Sequence, residues 1–228
     1  MLSALRPAVE PLHRSPVRVL VRFTSSTGSI PSTVYPNLYY HKLSPTSTSY
    51  SLSYLPNPPP DLPFSPTTLG ILSPLPPCRL SSSSFDQPPQ HQQETHDLPP
   101  ITPRNFQDNP EWTKLVHEVL KHNVQHDPWM QTLAKSVQGN DTFIHIADAR
   151  APADANRQPH PQDVIASVLV QNGKIVPESY EANKAAYRLV SQDGLQRLPS
   201  GLHEKVVEAC HRVWEVEKEA AQSGTTSS

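Results

Sequence analysis

Val164-Ile165-Ala166-Ser167-Val168-Leu169-Val170-Gln171-Asn172-Gly173-Lys174-Ile175-Val176 is the stretch on which the fold turns. On composition alone, residues 164–170 suit a helix or a strand. Asn172-Gly173 arbitrates. A two-residue hairpin turn needs positive φ at both central positions, and Asn followed by Gly reaches it at least cost. The pattern predicts a strand, a tight turn, and Ile175-Val176 pairing back.

Upstream, Thr142-Phe143-Ile144-His145-Ile146-Ala147 predicts another strand, and residues 151–162 a polar, proline-bearing loop. Downstream, residues 186–191 predict a further strand, closed by Asp193-Gly194. Helices flank these strands. Asn109-Pro110-Glu111 supplies a cap, a proline at the first helical position and an acid in the first turn. Trp112, Leu115, Val116, Val119 and Leu120 follow at helical spacing, to about Gln125. Asp127-Pro128 repeats that logic for a shorter helix ended by Gly139-Asn140. A last helix begins near a Ser200 cap, with Leu202, Val206, Ala209, Cys210, Val213 and Val216 on one face and a Glu208–Arg212 pair on another. The expected fold class is α+β: a small, mainly antiparallel sheet, two N-terminal helices and a C-terminal helix over residues 101–221. A short tail at 222–228 follows.

Of 228 residues, 27 are proline and 7 glycine, and 20 of those prolines fall in residues 1–103. Proline removes a backbone donor and is confined to strand edges and bulges. The first half is therefore expected to be a long irregular segment. Within it, residues 35–77 place Tyr39, Tyr40, Tyr50, Tyr54, Leu55 and Phe64 in a proline-rich backbone. Flexible linkers are poor in such residues. The expectation is an extended arm whose apolar side chains lie on a surface, its own domain or a partner's. Residues 78–100, rich in Ser, Gln and His, are expected to be a disordered spacer.

Residues 1–34 hold Arg6, Arg14, Arg18 and Arg22 against Glu10. That basic, Ser/Thr-rich composition is that of a mitochondrial transit peptide. Arg22-Phe23-Thr24 predicts cleavage near 23/24 and a matrix location. The later residues are slightly acidic, which disfavours direct nucleic-acid binding, because phosphates call for clustered Lys and Arg. Nothing approaches the roughly 20 apolar residues of a membrane helix.

The chemistry-bearing candidates are few. His145, Asp148 and Arg150 lie along and just past the first strand, and Arg188 follows Tyr187. They define either a polar ligand site or a structural cap on the strand end. His122 and His126 lack the acid that a zinc-protease helix carries between its histidines, and read as solvated. Cys210 reads as a core thiol. The glycines never cluster into a phosphate-binding loop. No catalytic residue, cofactor or metal is expected. Phe143-Ile144-His145-Ile146-Ala147-Asp148-Ala149-Arg150, the run 161–168, Tyr187-Arg188-Leu189-Val190 with Gly194-Leu195, and Leu52-Ser53-Tyr54-Leu55-Pro56-Asn57-Pro58 together resemble a group of uncharacterised fungal proteins with predicted mitochondrial targeting. That resemblance implies no activity. It favours counting the Tyr54 motif as part of the fold.

These features predict a non-enzymatic mitochondrial accessory or assembly-type protein. Its partner would be a larger complex, the mitochondrial ribosome or a respiratory complex. The alternative is a small mitochondrial enzyme or ligand-binding domain with a polar site around the first strand.

Overall fold

The computed structural model describes residues 28–75, 98–137, 139, 141–150 and 159–223. The cleavage position near 23/24, most of the spacer and Cys78 lie outside them.

Three strands stand where the irregular arm of residues 35–77 was expected, and a fourth lies just before it, within the stretch 1–34 read as a transit peptide. β1 (Ile30–Pro31), β2 (Tyr39–Lys42), β3 (Tyr50–Ser53) and β4 (Thr68–Leu72) run antiparallel, and β5 (Phe106–Asp108) completes a sheet ordered β1-β2-β3-β4-β5. The proline argument fails because of where the prolines sit. Pro31 ends the edge strand β1. Pro36 and Pro45 lie in turns, Pro56, Pro58, Pro59, Pro60, Pro63 and Pro66 in the β3–β4 connection, and Pro74 beyond β4. None interrupts an inner ladder, which is the one placement proline forbids.

α1 (Pro110–Asn123) follows and runs through a 3-10 turn into α2 (Pro128–Ser136). Asn109 and Asp127 cap them, accepting from the amides of Glu111 and Met130. Asn109 also donates from Nδ2 to the carbonyls of Ser65 and Thr68, both at 2.8 Å, so the cap of α1 is stapled to the start of β4.

The second sheet is β6 (Thr142–Ala147), β7 (Val164–Gln171) and β8 (Lys174–Ala182), in that order and antiparallel. The hairpin turn is as expected, with Asn172 at φ 51° and Gly173 at φ 74°. β8 runs further than Ile175-Val176, carrying Pro177 on an edge strand where proline is tolerated. The expected strand at 186–191 is mostly turn. Only β9 (Val190–Ser191) and β10 (Gly194–Leu195) pair there.

α3 (Ser200–Ser223) begins one residue before the expected interior, and the Pro199 carbonyl accepts the His203 amide. Its apolar face ends early: Val216 is exposed. Glu208 pairs with Lys205 at 3.0 Å rather than with Arg212. The far half of α3 holds the proline-rich connection instead. Trp214 donates from Nε1 to the Pro58 carbonyl, and Ser65 Oγ donates to Glu217 Oε2 at 2.7 Å. A proline-rich loop is short of N–H groups, so such outside partners satisfy and fix it.

The two sheets share one core. Tyr40, Leu52, Tyr54, Leu55 and Leu72 of the first half cluster with Trp112, Val116, Ile146, Val168 and Leu202. Tyr54 meets Trp112 edge-on at 5.5 Å. The architecture is thus α+β, with three helices packed on antiparallel sheets.

Two predictions follow from this packing. A Cβ at Gly70 would lie 2.6 Å from the Phe106 ring and against the Gln107 backbone. Gly70→Ala should cost about 1–3 kcal/mol in urea unfolding, by pushing β5 off β4. His41, fully buried with Nδ1 2.9 Å from Ser29 Oγ, has its pKa pushed down by burial from 6.5 to about 4. The unfolded chain therefore takes up this proton first as pH falls. The stability that neutral His41 contributes is complete above about pH 6.5 and is lost on the way down to about 4. His41→Asn should flatten that part of the stability–pH curve relative to wild type.

Candidate functional site

At the end of β6 the chain turns sharply, and Asp148 is drawn inside. Its Oδ1 accepts the Arg150 amide at 2.9 Å and the Arg197 amide at 3.0 Å. Its Oδ2 accepts the Tyr187 hydroxyl at 2.6 Å and Arg150 Nη2 at 2.9 Å. Both terminal nitrogens of the Arg150 guanidinium are fully used. Nη1 donates to the carbonyls of Leu189 and Gly194, and Nη2 also to that of Arg188. The side chains of Asp148 and Arg150 are 0% and 4% exposed. Burial and the adjacent Asp148 carboxylate push the Tyr187 phenol far up, so it stays protonated as a donor.

This is a clasp. It ties the end of β6 to residues 187–197, a segment with almost no regular structure of its own. Tyr35 adds a tie from the first sheet: its hydroxyl accepts the Leu195 amide at 3.1 Å, and its ring lies under Arg197. Gly194, at φ +100°, leaves room for that hydroxyl.

The four expected ligand-binding residues divide. Asp148 and Arg150 meet, but each spends its hydrogen-bonding capacity on the other and on backbone. His145 stands apart on β6, with Nδ1 2.8 Å from Ser167 Oγ. Arg188 is exposed and folds back on the carbonyls of Ala185 and Tyr187. The residue that enters the clasp is its neighbour Tyr187. The Asp148 carboxylate draws Tyr187 inward, and Arg188 is left outside.

Of the residues expected to meet a partner, Tyr40, Tyr54 and Leu55 are buried in this chain's own core. Tyr39 and Tyr50 are half-buried, Tyr50 packing edge-on against Tyr40 at 5.9 Å. The surface they lie on is their own domain's. Phe64 alone of the six is exposed, at 72%. Trp129 at 66% and Phe143 at 50% join it as large exposed aromatics, and neither was marked by its local pattern.

An open groove of about 440 Å³ runs between α1 and the end of β8, lined by His117, Glu118, Lys121, Tyr180, Glu181, Ala182 and Lys184. His117 is not a solvated helix-face residue. Its Nδ1 lies 2.8 Å from the Tyr180 hydroxyl, and burial, then Lys184, lower its pKa. Behind it a cavity of about 30 Å³ reaches Trp112, Tyr187 and Gln196. The groove has the volume of a small-molecule site but walls of opposed charges, where such sites are mostly apolar. His122 is exposed and bonds the Glu118 carbonyl. Cys210 is buried, which pushes its thiol up to about 12.

No family model matches the chain, and neither a curated protein nor a solved structure was found to be similar to it.

The clasp makes a quantitative prediction. Asp148→Asn leaves the Arg150 cation buried without its counter-charge, and should cost about 3–5 kcal/mol in urea unfolding. Asp148→Asn combined with Arg150→Met should cost less than the sum of the two single changes. A strictly additive double-mutant cycle would show that the pair is not coupled.

Proposed function

We propose that this chain is a non-enzymatic accessory or assembly-type protein of the mitochondrial matrix that binds a larger complex, the mitochondrial ribosome or a respiratory complex. The observation that carries the reading is the set of large exposed aromatics, Phe64 of the proline-rich half and Trp129 and Phe143 of the second half. Aromatic residues are enriched at protein interfaces, where they give large contact area at small entropic cost. The mitochondrial part rests on the arginine-rich, acid-poor start.

Contact with such a complex would be made by the folded surface rather than by an unfolded arm, because the arm's tyrosines are engaged internally. The acidic balance beyond residue 60 favours protein over RNA as the surface met. Among the described residues no helix is long and apolar enough to cross a membrane. The alternative, an enzyme or ligand-binding domain around β6, finds its four residues engaged in separate tasks.

Import supplies the test. Radiolabelled full chain offered to isolated mitochondria should become protease-protected in a potential-dependent way and shorten near residue 23. Matrix extract should then carry it in a fast-sedimenting fraction. The combined change Phe64→Ala, Trp129→Ala and Phe143→Ala should move it to the light fractions without unfolding it. A precursor that stays outside and uncut would remove the location, and a wild-type chain that sediments alone would remove the partner.

A further inference from the structure

β6 is an edge strand: the sheet order is β6-β7-β8, and among the described residues no strand pairs with its other side. Backbone alternation shows which groups are left open. The Asp148 amide donates towards β7, to the Asp163 carbonyl, whereas the Ala149 amide donates the opposite way, to the Arg197 carbonyl. The register shift between Ile146 and Ala147 places the extra residue, Ile165, on β7, so the alternation along β6 is unbroken. The partner strand agrees. Leu169, opposite Phe143, gives its amide to Ser179 Oγ on β8 and not to β6. Even-numbered residues of β6 therefore bond β7. Phe143, His145 and Ala147 turn their N–H and C=O groups to the open edge.

Edges of this kind invite pairing, and soluble proteins commonly protect them with lysine, proline or a bulge. Thr142-Phe143-Ile144-His145-Ile146-Ala147 contains no lysine, no proline and no acidic or arginine residue. Phe143, half-exposed, stands on the outer face beside the edge.

We propose that this edge is a self-association site, at which β6 pairs antiparallel with β6 of a second copy about a two-fold axis at Ile144. That register uses the open groups of Phe143 and His145 and sets Ala147 opposite the partner's Asp141. Phe143 faces the partner's His145 and His145 the partner's Phe143, and each pair exchanges both backbone bonds. Side chains keep their faces: Phe143 and His145 stay outside, Ile144 meets its own equivalent inside, and Thr142 meets Ile146. No like charges are opposed, because Asp141 falls opposite Ala147. The neighbouring register, centred on His145, would bring the two His145 imidazoles face to face, and the next, centred on Ile146, would set Phe143 against Ala149, whose amide is already taken by Arg197. The Asp148–Arg150 clasp thus limits sliding as well as closing the turn. The product is a continuous six-stranded sheet with an isologous interface. This inference does not rest on the mitochondrial reading or on any larger complex.

Light scattering on the full chain over a micromolar concentration series tests it, with hydrogen exchange at both ends of the series. The mass should rise from 25.3 kDa towards twice that value. The Phe143 and His145 amides should exchange slowly at high concentration and fast at low. The Ile144 amide, bonded to β7, should be protected throughout. Phe143→Lys, an outward substitution that places a cation at the seam, should stay monomeric with Ile144 still protected, which reports an intact fold. A wild-type mass that never rises would overturn the proposal, as would a Phe143→Lys chain that dimerises like wild type. So would a monomeric chain whose Phe143 and His145 amides are slowed only by a foreign extended peptide, which would make the edge a receptor for another protein's strand.

Discussion

The Asp148 carboxylate is the constraint around which the second half of the molecule is arranged. A buried carboxylate is tolerable only when its lone pairs are occupied and its charge is met. Here four donors, one of them a guanidinium, do both. They come from the turn after β6, from residue 187 and from residue 197. That segment has only two short paired strands to hold it, so the clasp decides where the chain enters α3. α3 in turn reaches back over the proline-rich connection through Trp214 and Glu217. The polar centre is therefore linked to the first sheet by a chain of contacts as well as by Tyr35.

The first sheet is an instance of proline used as punctuation. Its prolines cluster between β3 and β4 and at the ends of strands, while the ladders use Tyr, Leu, Ser, Thr and Ile. Two consequences follow. The connection is held from outside, by a donor (Trp214) and an acceptor (Glu217) on the C-terminal helix and by the Asn109 side chain at the start of α1. No proline interrupts the inner ladders, so the sheet can carry Tyr40, Leu52 and Leu72 into the shared core. Residues 28–75, which look like part of a tail by composition, form a structural layer by position.

For function, the arrangement separates two kinds of polar group. Asp148, Arg150 and Tyr187 are engaged with one another and hold the structure together. His117 and Tyr180 are paired at the floor of a groove that remains open to solvent. The aromatic residues outside the core, and the unpaired edge of β6, are the surfaces with contacts left to make. An account built on binding follows from that division more directly than one built on catalysis.

Much of the second half was legible in the sequence. The helix starts at Asn109-Pro110 and Asp127-Pro128, the Asn172-Gly173 hairpin and β6 all depend on interactions between near neighbours, and local residue types report such interactions directly. The core role of Cys210 followed from helical period in the same way. What stayed hidden depends on contacts across long separations. The first sheet joins β4 to β5 across residues 73–105, and its prolines count against strands until each is seen to lie outside a ladder. The Tyr187–Asp148 bond spans 39 residues, and that of His117 with Tyr180 spans 63. No local pattern separates Tyr187 from Arg188 as the buried partner, because either could face inward until the clasp orients the strand. Residue order alone thus determined the α+β class, two helix starts and one turn, through local backbone preference. Tertiary structure alone decided that the tyrosine-rich arm is a sheet, which charges are buried, and which strand edge is left open, because burial and pairing are properties of the assembled chain.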